Sequence, residues 1–291
     1  MQRILLATDF SERSDRALRR AVILARAHGA SLEIVHVVDD DRPRRIVDHE
    51  AYDARQLLAE LARTLKDMDG VTCSTQVLLD DPFAGIVKAA AETSPDLLVI
   101  GPHRRQILRD AFVGTTAERT IRSVACPVLM VNGVPAGPWR HMLLTTDLSK
   151  NAGAALTRFK RLGLGAEARS SILRVFDAPA LRLAMSDTIG KGGQEDYLKD
   201  LGSDARQQLS AFMTQIGMGQ TEKIVRHEET TVANEILKSA EELKADLIVV
   251  STQGKGAVAR LALGSVAQQV LKAAQTDVLA IPVPPFTEQS Q

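Results

Sequence analysis

Aromatic residues make up only 3% of this 291-residue chain, cysteines number two, and its 36 basic side chains are offset by 36 acidic ones. A formal net charge of zero withholds the electrostatic surplus with which nucleic-acid binders hold phosphate backbones, so nucleic acid is not the expected partner. Cys73 and Cys126 are too far apart for a C-x-x-C pair and too few for a disulfide framework, which suits a reducing compartment. Runs of eighteen or more apolar residues are missing, so no membrane-spanning helix is expected. The opening MQRILLATDFSERSDR returns to charge after about four apolar residues, fewer than an export signal needs. These absences predict a soluble, cytoplasmic protein.

What is present is written twice. At about 150 residues per domain the length predicts two domains, and the halves align as a tandem repeat. ILLATDFS (Ile4–Ser11) matches MLLTTDLS (Met142–Ser149) at an offset of 138. DLLVIG from Asp96 matches DLIVVS from Asp246, and AERTIRSVACPVLMV from Ala117 matches AQQVLKAAQTDVLAI from Ala267, at an offset of 150. The second copy therefore holds twelve extra residues, expected in or near Gly190–Asp200, where GKGGQEDYLKD reads as a Gly-rich loop leading into another helix. NGVPAGPWR, with two prolines and two glycines, reads as a linker over 133–140 between domains at 1–132 and 141–291.

Each copy alternates short β-branched runs with segments of helical period. In the first copy the pattern predicts strands near 3–8, 32–38, 72–79, 97–101 and 127–131. One helix starts after Ser11 as N-cap, places Leu18, Val22 and Ala25 on one face and stops at Gly29. A second carries Leu57, Leu58, Leu61 and Leu65 and ends at Gly70, a third holds Ile86, Val87 and Ala90, and a fourth runs from about Thr115 to Arg122. Strands such as LLVIG, apolar at successive positions, belong to parallel sheets covered on both faces. The expected fold is α/β, with two tandem doubly wound, Rossmann-like domains of parallel sheet.

In such sheets ligands bind beyond the carboxyl ends of the strands, where helix N-termini offer backbone NH groups to anions. Those loops hold Asp9 and Asp147 after the first strands, GPHRRQILRDAFVGT after the fourth strand of copy one, and STQGKGAVARLALGS in the same place in copy two. Over nearly its whole length the chain resembles the universal stress protein family in tandem form. The ATP-binding members of that family carry G-x2-G-x9-G-[ST] after the fourth strand. Copy two reads Ser251-x2-Gly254-x9-Gly264-Ser265, departing only at Ser251, and copy one reads Gly101-x2-Arg104-x9-Gly114-Thr115, without the second glycine. A Cβ at Arg104 stands where backbone must approach phosphate, so copy two is the expected nucleotide site.

By the same resemblance, Asp9 and Asp147 contact ribose hydroxyls, the main chain at Val37 and Val175 reads the adenine edge, and ATP, with or without magnesium, is the implied ligand. The chemistry of the residues agrees. A carboxylate suits a ribose diol, glycine backbone suits a polyphosphate, and the helix start at Gly264, Ser265 and Val266 favours anions. Lys255 and Arg260 would neutralise further phosphate charge, with Arg104, Arg105 and Arg109 as the corresponding group in copy one. The plainer alternatives are that Asp9 and Ser11 only cap a helix, that Gly254 and Gly256 only turn the chain, and that the basic residues are solvated surface. His36 reads as an interior or pocket-edge histidine, His103 has no partner pair, and no metal site is predicted. Cys126 reads as a packed apolar residue.

Other nucleotide motifs fail on position. Gly254, Gly256 and Ala259 fit G-x-G-x-x-A, but a dinucleotide fingerprint follows the first strand and needs an acid near the end of the next. There is no G-x-x-x-x-G-K-[ST] and no G-x-S-x-G. The leading expectation is a non-catalytic stress-response protein in which ATP stabilises a partner-binding conformation. The alternatives are a weak ATPase or self-phosphorylating protein using Asp147, and a nucleotide-free interaction module. The resemblance also implies that strands at Val128–Val131 and Val278–Ile281 pair edge to edge, and that two chains form a homodimer.

Overall fold

A computed structural model of the chain describes residues 1–102, 116–182, 191–254 and 263–283. The first copy contributes strands β1 (Arg3–Ala7), β2 (Ser31–Val38), β3 (Cys73–Leu79), β4 (Leu97–Ile100) and β5 (Val128–Met130). Its helices are α1 (Glu12–His28), α2 (Arg44–Thr64), α3 (Pro82–Thr93) and α4 (Thr116–Ser123). The second copy contributes β6 (His141–Thr145), β7 (Arg169–Phe176), β8 (Glu222–His227), β9 (Leu247–Ser251) and β10 (Asp277–Ile281). Its helices are α5 (Lys150–Leu162), α6 (Pro179–Arg182), α7 (Lys191–Gln215), α8 (Val232–Glu242) and α9 (Ser265–Ala273).

The described strands form one sheet in the order β3-β2-β1-β4-β5-β10-β9-β6-β7-β8. Neighbours run parallel except at the centre, where β5 and β10 are antiparallel with Leu279 opposite Leu129 and Ala280 opposite Val128. This is the expected tandem α/β architecture, and the two inner edges pair as the resemblance implied, so neither is left as an open template. Strand order reverses between β1 and β4 and again between β6 and β9, which puts a crevice at the carboxyl end of each half.

Local chemistry accounts for the element boundaries. Ser11 caps α1 by accepting from the Ser14 amide, Glu12 and Asp15 sit in its positive first turn, and Gly29 closes it in the left-handed region at φ 59°. After α2 the chain continues through a π-helical segment, Leu65–Asp69, that ends at Gly70 with φ 67°. Leu58 and Leu65 turn inward, whereas Leu57 is 49% exposed, one position off the buried stripe. On the strands, Leu97 to Ile100 and Leu247 to Val250 are buried at every position because helices cover both faces. One apolar layer runs under α1, α2, α5 and α7, the other under α3, α4, α8 and α9, and both cross the β5–β10 joint without a break. Burying each Leu or Val there contributes about 1.5–3 kcal/mol.

The extra length of the second copy lies next to the expected Gly-rich stretch, but most of that stretch is helix and not loop. Gly190 lies outside the described residues, but Lys191–Asp200 belongs to α7 rather than to a loop. Glycine costs little in a first helical turn, and the helix is held downstream by Ala205, Leu209 and Met213, all buried. Residues 39–43 join β2 to α2, whereas 177–190 join β7 to α7, so most of the insertion precedes Lys191.

The connection between the copies is tied down by charge. Asp277, at the start of β10, accepts from Arg20 Nε at 3.0 Å, from Trp139 Nε1 at 2.9 Å and from the Gly133 amide at 3.1 Å. Arg20 also donates to the Gly137 carbonyl at 2.6 Å and stacks over the Trp139 ring. Burial pushes the Asp277 carboxyl up, against the opposing pull of Arg20 and the hydrogen bonds. A residue of α1, the linker and a strand of the second copy therefore meet at one buried carboxylate.

Candidate functional site

Both copies leave their first strand through the same turn. Phe10 and Leu148, the residues after the two aspartates, adopt positive φ of 57° and 62°, which bulky side chains rarely do. The amide of Phe10 donates to Thr8 Oγ1 and that of Ser11 to Asp9 Oδ1. In the second copy Leu148 donates to Thr146 Oγ1 and Ser149 to Asp147 Oδ1. The turn sets the aspartate at the strand end and starts the helix. The capping reading is thus present in the structure.

A cleft of about 290 Å³ opens at the carboxyl end of the first copy's sheet. Asp9, Ser11 and Arg13 give it a polar wall, Val37, Ile86 and Ile100 an apolar one. Burial would raise the Asp9 carboxyl, but hydrogen bonds from Ser11 and Ser14 and the Arg13 guanidinium, 3.9 Å away, hold it below the usual aspartate value. His36 sits beneath this turn, with Nδ1 2.8 Å from the Thr8 carbonyl and its ring against Phe10. Burial lowers its pKa, against the pull of Thr8, Asp9 and Glu50.

Two glycines shape this cleft by being close to something else. A Cβ on Gly85 would stand 2.6 Å from Val37 Cγ1, and one on Gly101 2.9 Å from the Arg13 carbonyl oxygen. Gly101 therefore admits the first turn of α1 against the end of β4. At the matching position of the second copy, Ser251 turns its hydroxyl to the Gln253 carbonyl at 2.7 Å.

In the second copy the loop after β9 returns to the aspartate. A Cβ on Gly254 would lie 2.8 Å from Asp147 Oδ2, and one on Gly264 3.8 Å from the Gly254 amide nitrogen. Gly264 is the N-cap of α9 and offers no side chain to the amides of the first turn, where Ser265 is exposed and Val266 packs on the core. Val175 is buried against the same layer. Arg174, on β7, has its guanidinium pKa lowered by burial, against the pull of Asp147.

The structure thus brings Asp147, Gly254 and Gly264 together in one copy, and Asp9, Val37 and Gly101 in the other. Gly114, Thr115 and Lys255 lie outside the described residues, as do His103, Arg104, Arg105, Arg109, Gly256, Ala259 and Arg260. Sequence reasoning passed over Thr8, Thr146, Arg13, Gly85 and Thr120. The repeated T-D-x-S signals the first two, while Thr120 stands out only when it is aligned with Val270. Among the described residues no helix is long and apolar enough to cross a membrane.

Comparison with known proteins follows the same division. The model of the universal stress protein family matches residues 1–132 and again 138–282. A universal stress protein of Thermus aquaticus is 33% identical over 132 residues, covering 44% of this chain and 96% of its own length. One from Methanocaldococcus jannaschii is 39% identical over 141 residues, covering 45% of this chain and 81% of its own. Among solved structures, a universal stress protein from Archaeoglobus fulgidus superposes over 96% of this chain and 98% of its own with a TM-score of 0.69 at 19% identity. A functionally unknown protein from Pseudomonas aeruginosa superposes over 97% and 93% with a TM-score of 0.67 at 18% identity. These two likenesses speak to the fold.

Proposed function

This chain belongs to the universal stress protein family, which supports a stress-response role, and from that premise we propose that it binds ATP in its second copy and acts through the conformation that ATP stabilises. The observation that carries the reading is the convergence of Gly254 on Asp147 and of Gly264 on Gly254. Together they set a carboxylate for a ribose diol beside glycine backbone and an uncapped helix start for phosphate. Asp147, Gly254, Gly264 and Ser265 would hold the nucleotide, with Val175 beside the base. The protein's part is to bind and orient, so ligand acts by favouring one conformation over another.

The test is native mass spectrometry of the purified chain followed by ATP calorimetry. We expect one bound ATP, lost in Gly254→Val, whose Cβ would collide with Asp147, and retained in Asp9→Asn. No bound mass and no heat at millimolar ATP would overturn the reading.

A further inference from the structure

We infer that His141, Ser171 and Glu222 form a proton-dependent latch that fastens the amino ends of β6, β7 and β8 in the second copy and slackens as pH rises. His141 and Ser171 are buried. The His141 ring is engaged at both nitrogens, with Nδ1 3.1 Å from the Leu243 carbonyl oxygen and Nε2 2.8 Å from Ser171 Oγ. Ser171 Oγ in turn meets Glu222 Oε2 at 2.7 Å. The same glutamate oxygen accepts from Arg169 Nε at 3.2 Å and Nη2 at 2.8 Å. Leu243 ends α8, and Lys244 after it turns the chain toward β9 with a positive φ of 51°, so the latch also holds that turn.

Carbonyl to ring, ring to hydroxyl and hydroxyl to carboxylate are three contacts in a row, and each needs a proton. Serine supplies one and a neutral imidazole one more. With the ring proton on Nδ1, Ser171 must choose between Nε2 and Glu222; with it on Nε2, a bare Nδ1 faces the Leu243 oxygen. Glu222 is not the missing donor, because its Oε2 accepts from Arg169. Hydrogen bonds from Ser171 and Arg169 hold its carboxyl below the ordinary glutamate value. The remaining proton is therefore the second one on the His141 ring, a group that titrates in general at about pH 5 to 8. Other charges near the ring are paired or exposed. Arg140 lies 3.6 Å from Asp246, which also accepts from the His141 amide, Arg169 is paired with Glu222, and Lys244 is exposed. The first copy has Arg3 and Glu33 in the places of His141 and Ser171, so the latch belongs to the second copy. It shares no residue with the proposed nucleotide site.

The latch stabilises the fold fully where a free histidine is already charged, and its contribution is lost as pH rises and the ring gives up its second proton. Nuclear magnetic resonance of the whole chain with isotope-labelled histidine tests this directly. At about pH 7 the His141 ring should show two N–H signals, and one should be gone by about pH 9. Glu222→Gln is the decisive variant. Its amide donates to Ser171, which frees the serine proton for Nε2 and completes every contact with a neutral ring. In that variant the ring should show one N–H signal at both pH values. Between them the melting midpoint of the parent should fall about 3 °C further than that of Glu222→Gln. A single ring N–H signal in the parent at about pH 7 overturns the inference, as does a midpoint that falls equally in parent and variant.

Discussion

In the first copy Gly85 lets Val37 stand close to α3, and Thr120 lies unpaired beside an open cleft. The second copy has Glu235 and Val270 in those places. Glu235 is 2% exposed and pairs with Arg226 Nε at 2.9 Å, and Arg226 reaches on to Glu242 at 2.7 Å. Around this divergence the strand order and the aspartate turn are unchanged, down to the positive φ at Phe10 and Leu148. Backbone that builds the crevice has been held constant while side chains that fill it have changed. That is how one fold comes to carry different side chains at matching places of its two halves.

The largest expected effect lies where the copies meet. Asp277→Ala leaves Arg20 buried without its partner and should cost about 3–5 kcal/mol. Urea unfolding should then split into two transitions, one per copy, where the parent chain shows one. A smaller effect separates the strand ends. Gly101→Val drives a side chain into the Arg13 backbone and should cost about 1–3 kcal/mol, whereas Ser251→Ala at the matching place should cost no more than about 1 kcal/mol. Equal losses at the two positions would mean that the strand ends are packed alike.

The smallest effect is acid-dependent. Because the Asp9 carboxyl is held below its ordinary value in the fold, its contribution is present above about pH 4 and fades as pH falls through the lowered value. The stability difference between the parent and Asp9→Asn should shrink over that range in melting curves. A difference that stays constant to pH 2 would dissociate Asp9 from the acid response.

Much of this was legible in the chain because the signals are local. Ser11 and Gly29 mark α1 by capping chemistry, and the buried runs at Leu97 and Leu247 announce parallel strands. The spacing of Gly254 and Gly264 marked the loop after β9, and the structure folds that loop back so that Gly254 lies against Asp147. Arg20 and Asp277 were not, since 257 residues separate them and nothing in either neighbourhood anticipates the pair. The stretch from Lys191 was expected to be a loop because Gly192 and Gly193 look like one, while tertiary packing further along keeps it helical. Thr120 looks like any helix residue until its hydroxyl is found without a partner.

The central β5–β10 joint has a consequence for how the halves change over time. Two identical chains meeting about a two-fold axis must present the same residue on both sides of the seam. Here the counterpart of Asp277 is Pro127, and the counterpart of Arg20 is Arg158, which donates to the Ala125 carbonyl at 2.8 Å instead of pairing with a carboxylate. A single polypeptide has released the seam from symmetry. It also delivers two unlike crevices in a strict one-to-one ratio, however much of the protein a cell makes.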